Sequence, residues 1–311
     1  MTLRQVGTSD LMVAPLALGG NVFDWTADEA TSFAILDAFV DAGGTMIDTA
    51  DVYSAWVPGH KGGESEALIG RWLKRDPAKR DKVVIATKVG MMAGLSPATV
   101  VAACEGSLAR LGVDGIDLYY QHQDDAATPL GDSLGAFDGL VKAGKVRTTG
   151  LSNFTAERVE EALAICHQHS LAAPVALQPW YNMVERDKFE GALADVALGQ
   201  GLSVFPYYSL ANGFLTGKYR SKEDLGKSPR GLRNIDYLDG KGPLVLAALD
   251  AIAAETGASL ATIALAWTKA QPEITAPIAS ATSVEQFKDL AAALTLDLSP
   301  HHIEALDRAS E

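Results

Sequence analysis

Six polar side chains recur along this chain at a nearly constant interval. Asp48, Lys88, His122, Ser152, Gln178 and Tyr207 are separated by 40, 34, 30, 26 and 29 residues, and each closes a short apolar or β-branched run. Any one of them alone reads as a hydrogen-bonded core residue. Six in step need a common cause, because a buried charge costs several kcal/mol unless it is paired. Asp48, Tyr53 and Lys88 make chemical sense together. A tyrosine hydroxyl, with a pKa of about 10, is a weak acid at neutral pH. A nearby ammonium is expected to lower that value by stabilising the tyrosinate, and a carboxylate keeps the ammonium charged in a dry site. Such a tyrosine can protonate a carbonyl oxygen as hydride reaches its carbon, with His122 polarising or orienting the same oxygen.

The segments that would carry these residues alternate between two periods. Runs at 14–18, 45–49, 82–88, 116–122, 146–152, 175–179, 202–207 and 274–279 have strand character. Between them apolar residues fall at helical spacing, as in Phe33/Leu36/Phe39/Val40 and Val100/Cys104/Leu108/Leu111. Ser96-Pro97 and Ser299-Pro300 each read as an N-cap followed by Pro at the first helical position. Eight strands alternating with helices, without a break in composition, predict an α/β fold: one (β/α)8 TIM barrel over residues 1–311. An N-terminal β-hairpin would turn through 7–10. Residues 211–240 lack periodicity and are rich in Gly, Lys, Arg, Asp and Ser, so they are expected to form a long irregular lid. Two consecutive helices, 244–255 and 260–269, follow it, one more than the alternation requires. Active sites of such barrels gather at the C-terminal strand ends, where the six polar residues fall and where Ser280 ends the last strand.

Composition removes several classes of function. A hydrophobic fraction of 48% requires a large packed core. The balance of 26 basic against 39 acidic residues, a net charge of −13, argues against nucleic acid or an anionic membrane surface as a partner. No apolar run approaches the ~20 residues needed to cross a bilayer, and the start shows no secretory pattern. Cys104 and Cys166 lie far apart in helix-like stretches and read as reduced core thiols, so a cytoplasmic location is expected. Residues 139–145 almost spell a phosphate loop, but Val146 stands where Ser or Thr is required, and a GxGxxG is absent. A dinucleotide would need another architecture. Cys166, His167 and His169 have no fourth ligand nearby, so no metal is expected.

These residues resemble the aldo-keto reductases over nearly the whole chain. The resemblance is carried by Asp48-Thr-Ala-x-x-Tyr53, Gly63-Glu-Ser-Glu66, Ala86-Thr-Lys88, Asp117-Leu-Tyr-Tyr-Gln-His122 and Gly150-Leu-Ser-Asn-Phe154. It continues through Gln178-Pro-Trp-Tyr-Asn182, Gly213-Phe-Leu-Thr-Gly-Lys218 and the stretch from Ile278 to Gln286. It implies a barrel that binds NADPH, or sometimes NADH, and reduces a small carbonyl compound. Tyr53 would be the general acid, Lys88 and Asp48 its tuning pair and His122 the orienting group. Ser152, Asn153 and Gln178 would hold the nicotinamide carboxamide, with Tyr207 stacked on the ring. Gly20, Asn21, Ser209, Leu210, Gly213, Lys218, Ser280, Thr282 and Gln286 would meet the rest of the nucleotide, its pyrophosphate under the loop that begins at Ser209.

Two departures matter. Thr282 stands where many members carry an Arg for the 2′-phosphate. Ser280, Thr282 and Gln286, with Lys218 or Lys288 for charge, are the expected substitutes, and NADP(H) is expected over NAD(H). The segment between Tyr53 and Gly63 is longer than in compact members, and Trp25 and Trp56 are candidates for an apolar substrate wall. From 218 to 241, seven basic residues face four acidic ones, which suggests a phosphate site in an otherwise acidic chain. Two other readings fit the same residues: a Schiff-base aldolase using Lys88, and a cofactor-loaded redox sensor with little turnover.

Overall fold

The computed structural model describes residues 1–311. Its first element is an antiparallel hairpin, β1 (Arg4–Gln5) and β2 (Met12–Val13). Eight parallel strands follow: β3 (Ala17–Gly19), β4 (Met46–Asp48), β5 (Val84–Val89), β6 (Ile116–Gln121), β7 (Val146–Ser152), β8 (Ala176–Gln178), β9 (Ser203–Val204) and β10 (Ile278–Ala279). They pair in the order β10-β3-β4-β5-β6-β7-β8-β9. The amides of Thr275 and Ala276 donate to Val204 O, and that of Ile278 to Pro206 O, which joins β10 to β9 and closes the (β/α)8 barrel. Helices α1 (Glu29–Asp41), α2 (Glu64–Arg75), α3 (Pro97–Leu111), α4 (Leu130–Lys142), α5 (Ala156–His169) and α6 (Ala192–Gly199) fill the crossovers. The chain then adds α7 (Gly242–Thr256), α8 (Leu260–Ala270), α9 (Val284–Ala292) and α10 (Pro300–Ser310). Ser96 caps α3 and Ser299 caps α10, each side chain accepting an amide of the first turn ahead of a Pro.

Strand parity explains what points where. Successive strand residues face opposite sides of a sheet. Ala17, Met46, Val84, Ala86, Leu118, Tyr120, Ala176, Phe205 and Ile278 pack together inside the barrel, with Val6, Leu11 and Val13 of the hairpin closing its N-terminal end. Their neighbours Leu18, Ile47, Ile85 and Tyr119 face outward into the helices. Asp48, Lys88, Gln178 and Ser280 lie two residues beyond Met46, Ala86, Ala176 and Ile278, and His122 and Tyr207 two beyond Tyr120 and Phe205. Each therefore continues an inward row at its upper end. No single helix is long and apolar enough to cross a membrane.

The stretch 211–240 departs from the expected irregular loop. It folds into three short 3-10 helices, Ala211–Thr216, Lys222–Lys227 and Gly231–Leu238. The reason is packing rather than period. Phe214, Leu215, Tyr219 and Leu225 are buried against α7 and α8, although their spacing matches no regular helix face. Such short turns leave no periodic signature.

Close approach rather than backbone freedom explains one glycine inside the barrel. A Cβ at Gly150 would lie 2.4 Å from Tyr120 Cε1 and 3.0 Å from Ala176 O. Gly139, inside α4, has open space in the same position. Gly150→Ala should therefore destabilise the protein by about 1–3 kcal/mol through overpacking, whereas Gly139→Ala should stabilise it by up to about 1 kcal/mol. Denaturant unfolding of the two variants checks the pair.

Candidate active site

The centre of the site is a buried ammonium. Lys88 is 0% exposed, and its Nζ donates to Asp48 Oδ2 at 2.7 Å, Thr49 O at 2.8 Å and Tyr53 Oη at 2.9 Å. Three acceptors match the three N–H bonds of an ammonium and leave no lone pair for the Schiff-base chemistry of an aldolase. Asp48 Oδ1 accepts from Gln178 Nε2 at 2.9 Å, so the carboxylate is held from both sides of the barrel. Tyr53 is brought over Lys88 by the loop after β4. Ser54, at φ +71°, donates its hydroxyl to Phe23 O at 2.8 Å and pins that loop to the one after β3. Behind Lys88, Thr87 faces outward and donates to Glu66 Oε1 at 2.6 Å, while Arg110 donates to Glu66 Oε2 at 2.7 Å. The Gly63-Glu-Ser-Glu66 motif thus braces the strand that carries Lys88.

The electrostatics correct one expectation. Burial, reinforced by the Asp48 carboxylate, holds the Tyr53 hydroxyl well above the ordinary value of 10, so the net shift in this state is upward. Desolvating a tyrosinate outweighs its attraction to a lysine already paired with Asp48. Burial also lowers the Lys88 ammonium, opposed by Asp48. His122, 5% exposed, is held well below 6.5 by burial and by the Lys88 charge, so its ring is neutral. Its Nδ1 is buried without a partner, and its ring lies 6.0 Å from that of Tyr53. Asp51, crowded by burial and by Glu66, is pushed up to about 6.

The other strand ends form a polar shelf. Ser152 Oγ donates to Gln178 O at 2.9 Å. Asn153, at φ +57°, donates to His122 O at 2.8 Å and to Ser152 Oγ at 3.1 Å, and accepts from Tyr207 Oη at 2.6 Å. The Asn153 amide is therefore engaged with its neighbours and the Gln178 amide with Asp48, and both would have to exchange partners to hold a carboxamide. On the far side Ser280 Oγ donates to Asn21 Oδ1 at 2.6 Å. Gly20 N donates to Asp48 O at 2.7 Å, and Gly20 O accepts from Ser65. Gln286 Oε1 accepts both the amide and the hydroxyl of Thr282 at 3.0 Å, so those two side chains are joined. Ser209 is 1% exposed and its hydroxyl donates to Pro206 O at 3.0 Å. Leu210 is half-buried against the core, and Gly213 adopts φ +93°.

Trp25 and Trp56 meet edge to face at 5.4 Å, and Trp56 lies 6.1 Å from the Tyr53 ring, so the two candidate wall residues converge on the tyrosine. The lid is less cationic than its count of basic residues implied. Arg220 pairs with Asp250, Lys227 with Asp224, and Lys241 with the carbonyl of Ser310. Lys218 lies over the Tyr219 ring at 5.1 Å, Arg230 over the Trp25 ring at 5.8 Å, and Arg233 reaches the Tyr208 hydroxyl at 3.5 Å; none of the three pairs with a carboxylate. A broad groove of about 1280 Å³ at the opposite end of the barrel is lined by Arg80 and Arg147, both paired with Asp117, and contains none of the candidate site residues.

Comparison with known proteins agrees with this arrangement. The sequence profile of the Aldo/keto reductase family matches residues 15–311. The chain is similar to an uncharacterized oxidoreductase, YrpG, of Bacillus subtilis (strain 168), 34% identical and covering 99% of this chain and 95% of that protein. It is similar to the aldo-keto reductase str7 of Strobilurus tenacellus at 32% identity, with 99% and 89% covered. It is also similar to a probable voltage-gated potassium channel subunit beta of Oryza sativa subsp. japonica at 30% identity, with 99% and 96% covered. A match of this length, over a barrel whose strand ends hold a lysine and an aspartate in contact with a loop tyrosine, makes this chain a member of the aldo/keto reductase family, the NAD(P)-dependent oxidoreductases.

Proposed function

We propose that this protein reduces an aldehyde or ketone to the alcohol with Tyr53 as the general acid, and that it takes NADP(H) in preference to NAD(H). NAD(P)H-dependent carbonyl reduction is the general activity of its family. The observation that carries the assignment of the acid is the Lys88 ammonium, which bonds the Tyr53 hydroxyl and the Asp48 carboxylate at once. Tyr53 holds its proton at neutral pH, since burial raises its pKa. When negative charge develops on a carbonyl oxygen beside it, the hydroxyl donates that proton, and Lys88 stabilises the tyrosinate left behind. Neutral His122 donates or accepts a hydrogen bond without adding charge. The nicotinamide, when bound, supplies the hydride.

The residues fit a dinucleotide. The half-buried Tyr207 ring offers a flat face beside the amides of Asn153 and Gln178, and the buried Asn212 Oδ1, at the start of the lid, has no partner. Lys218, Arg230 and Arg233, lid cations without carboxylate partners, support phosphate binding there, in line with the preference for NADP(H). Trp25 and Trp56 support an apolar substrate. A second reading rests on similarity to a relative named as a channel subunit: tight nucleotide binding with little turnover, the chain acting as a sensor.

Separate titrations of NADPH and NADH by fluorescence quenching, followed by assays on aldehydes, ketones and quinones, decide between the readings. Tight binding with negligible turnover on every carbonyl would favour the sensor, and failure to bind either nucleotide would remove both. Tyr53→Phe is expected to keep nucleotide affinity and lose about 10²–10⁴-fold in turnover; full activity in that variant would refute the assignment. Because reduction needs the protonated hydroxyl, kcat/KM should stay level from about pH 7 to pH 9. A change is expected only on the acid side, near 6, where Asp51 ionises. A decline beginning below pH 9 would mean that Tyr53 is not raised. Thr282→Arg should increase the NADPH over NADH affinity ratio by about tenfold, as one added charge-assisted phosphate contact.

A further inference from the structure

One carboxylate ties the lid to the floor of the site. Glu185, in the loop after β8, accepts with a single oxygen, Oε2, from three donors on two segments. Two come from its own loop: Trp180 Nε1, and Asn182 Nδ2 at 3.1 Å. The third is the Tyr237 hydroxyl, 2.7 Å away in the last short helix of the lid. No arginine or lysine pairs with Glu185, so its charge is met by neutral donors from the segments that follow two adjacent strands, β8 and β9.

What these donors support is the functional surface itself. Trp180 packs on Tyr207 at 5.9 Å and on Tyr208 at 4.6 Å, and Tyr207 and Tyr208 are 5.0 Å apart. Asn182 also donates to Tyr208 O at 3.1 Å, holding a residue at φ +56°. Tyr237 rests on Phe214 at 5.4 Å, and its carbonyl is so close to Gly242 that a Cβ there would lie 1.8 Å away. The segment bearing Arg230 and Arg233 thus has its C-terminal anchor at Tyr237. A hydrogen bond to an ionised acceptor is worth more than a neutral one, and removing a donor leaves that acceptor partly desolvated.

We propose that Glu185 is a positioning residue that latches the 211–240 lid, through Tyr237, to the Trp180–Tyr207 floor, and so sets how fast nucleotide leaves. The proposal rests on the nucleotide site described above, but the latch itself is a contact within this chain and can be tested without a ligand. Glu185 touches neither nucleotide nor substrate in this scheme, so chemistry on bound reactants should be spared.

Two measurements on the full chain carry the test, with Tyr237→Phe and Glu185→Gln as variants. In stopped-flow displacement of bound NADPH, Tyr237→Phe should speed release by about tenfold, the effect of one charge-assisted hydrogen bond, with single-turnover reduction changed less than about twofold. Glu185→Gln keeps an acceptor oxygen and should fall between that variant and the parent. In limited trypsin digestion without nucleotide, both variants should be cut faster after Lys227, Arg230 and Arg233 while the sites between Lys74 and Lys82 keep the parent rate. Lid cleavage at the parent rate, or equal acceleration at both places, would overturn the latch. If the protein binds neither nucleotide, the site assignment fails and the digestion alone decides the latch. Nucleotide release at the parent rate despite a loosened lid would overturn its role in release.

Discussion

The arrangement of the site depends on keeping one ammonium charged where water does not reach. An unpaired lysine at that depth would lose its proton, because the low-dielectric interior penalises the charged form. Lys88 escapes this through three acceptors drawn from one short stretch, Asp48, Thr49 and Tyr53, which forces the chain after β4 to double back over β5. Asp48 in turn needs Gln178 from across the barrel. Parallel register at β4, β5 and β8 is therefore a condition of the chemistry as well as of the fold. The tyrosine sits where its proton is retained until an acceptor more basic than water arrives, which suits an acid better than a pre-ionised base.

Around this centre the molecule divides into a part fixed by sheet geometry and a part fixed by side-chain contacts. The strand ends stand on a barrel whose interior is filled by alternate residues, so each polar group has one direction open to it. The lid has no ladder to set its position. It is placed by buried aromatic residues, by an ion pair from Arg220 to Asp250 of α7 and by the hydrogen bonds gathered at Glu185, each worth far less than the cooperative strand pairing beneath. A rigid set of strand-end groups under a cover of lower local stability is compatible with fast chemistry and controlled exchange.

The strands and most helices were legible because their signals are local. Apolar period, Ser-Pro starts and the Gly7–Asp10 turn need no knowledge of the rest of the chain. The same holds for Asp48, Lys88, His122, Gln178 and Tyr207, whose spacing follows the barrel repeat. Parity was a further signal in the sequence: each of them lies two residues beyond an apolar residue of an inward row. Three features were not legible. Ser209 reads as a loop hydroxyl but is consumed by Pro206 O. Two of the lid's basic residues are paired with carboxylates, Lys227 with Asp224 and Arg220 with Asp250, thirty residues away. Glu185 and Tyr237 belong to no motif, since they matter only through a contact spanning 52 residues.

The sequence by itself determined the family, the eight-strand alternation and the polar groups that end the strands, because propensity, periodicity and chemical type are properties of short segments. The direction of the Tyr53 pKa, the partners of the amides on the shelf and the anchoring of the lid were decided only by tertiary structure. Burial depth and the competition among partners depend on which distant segments come together, and no short segment contains that information.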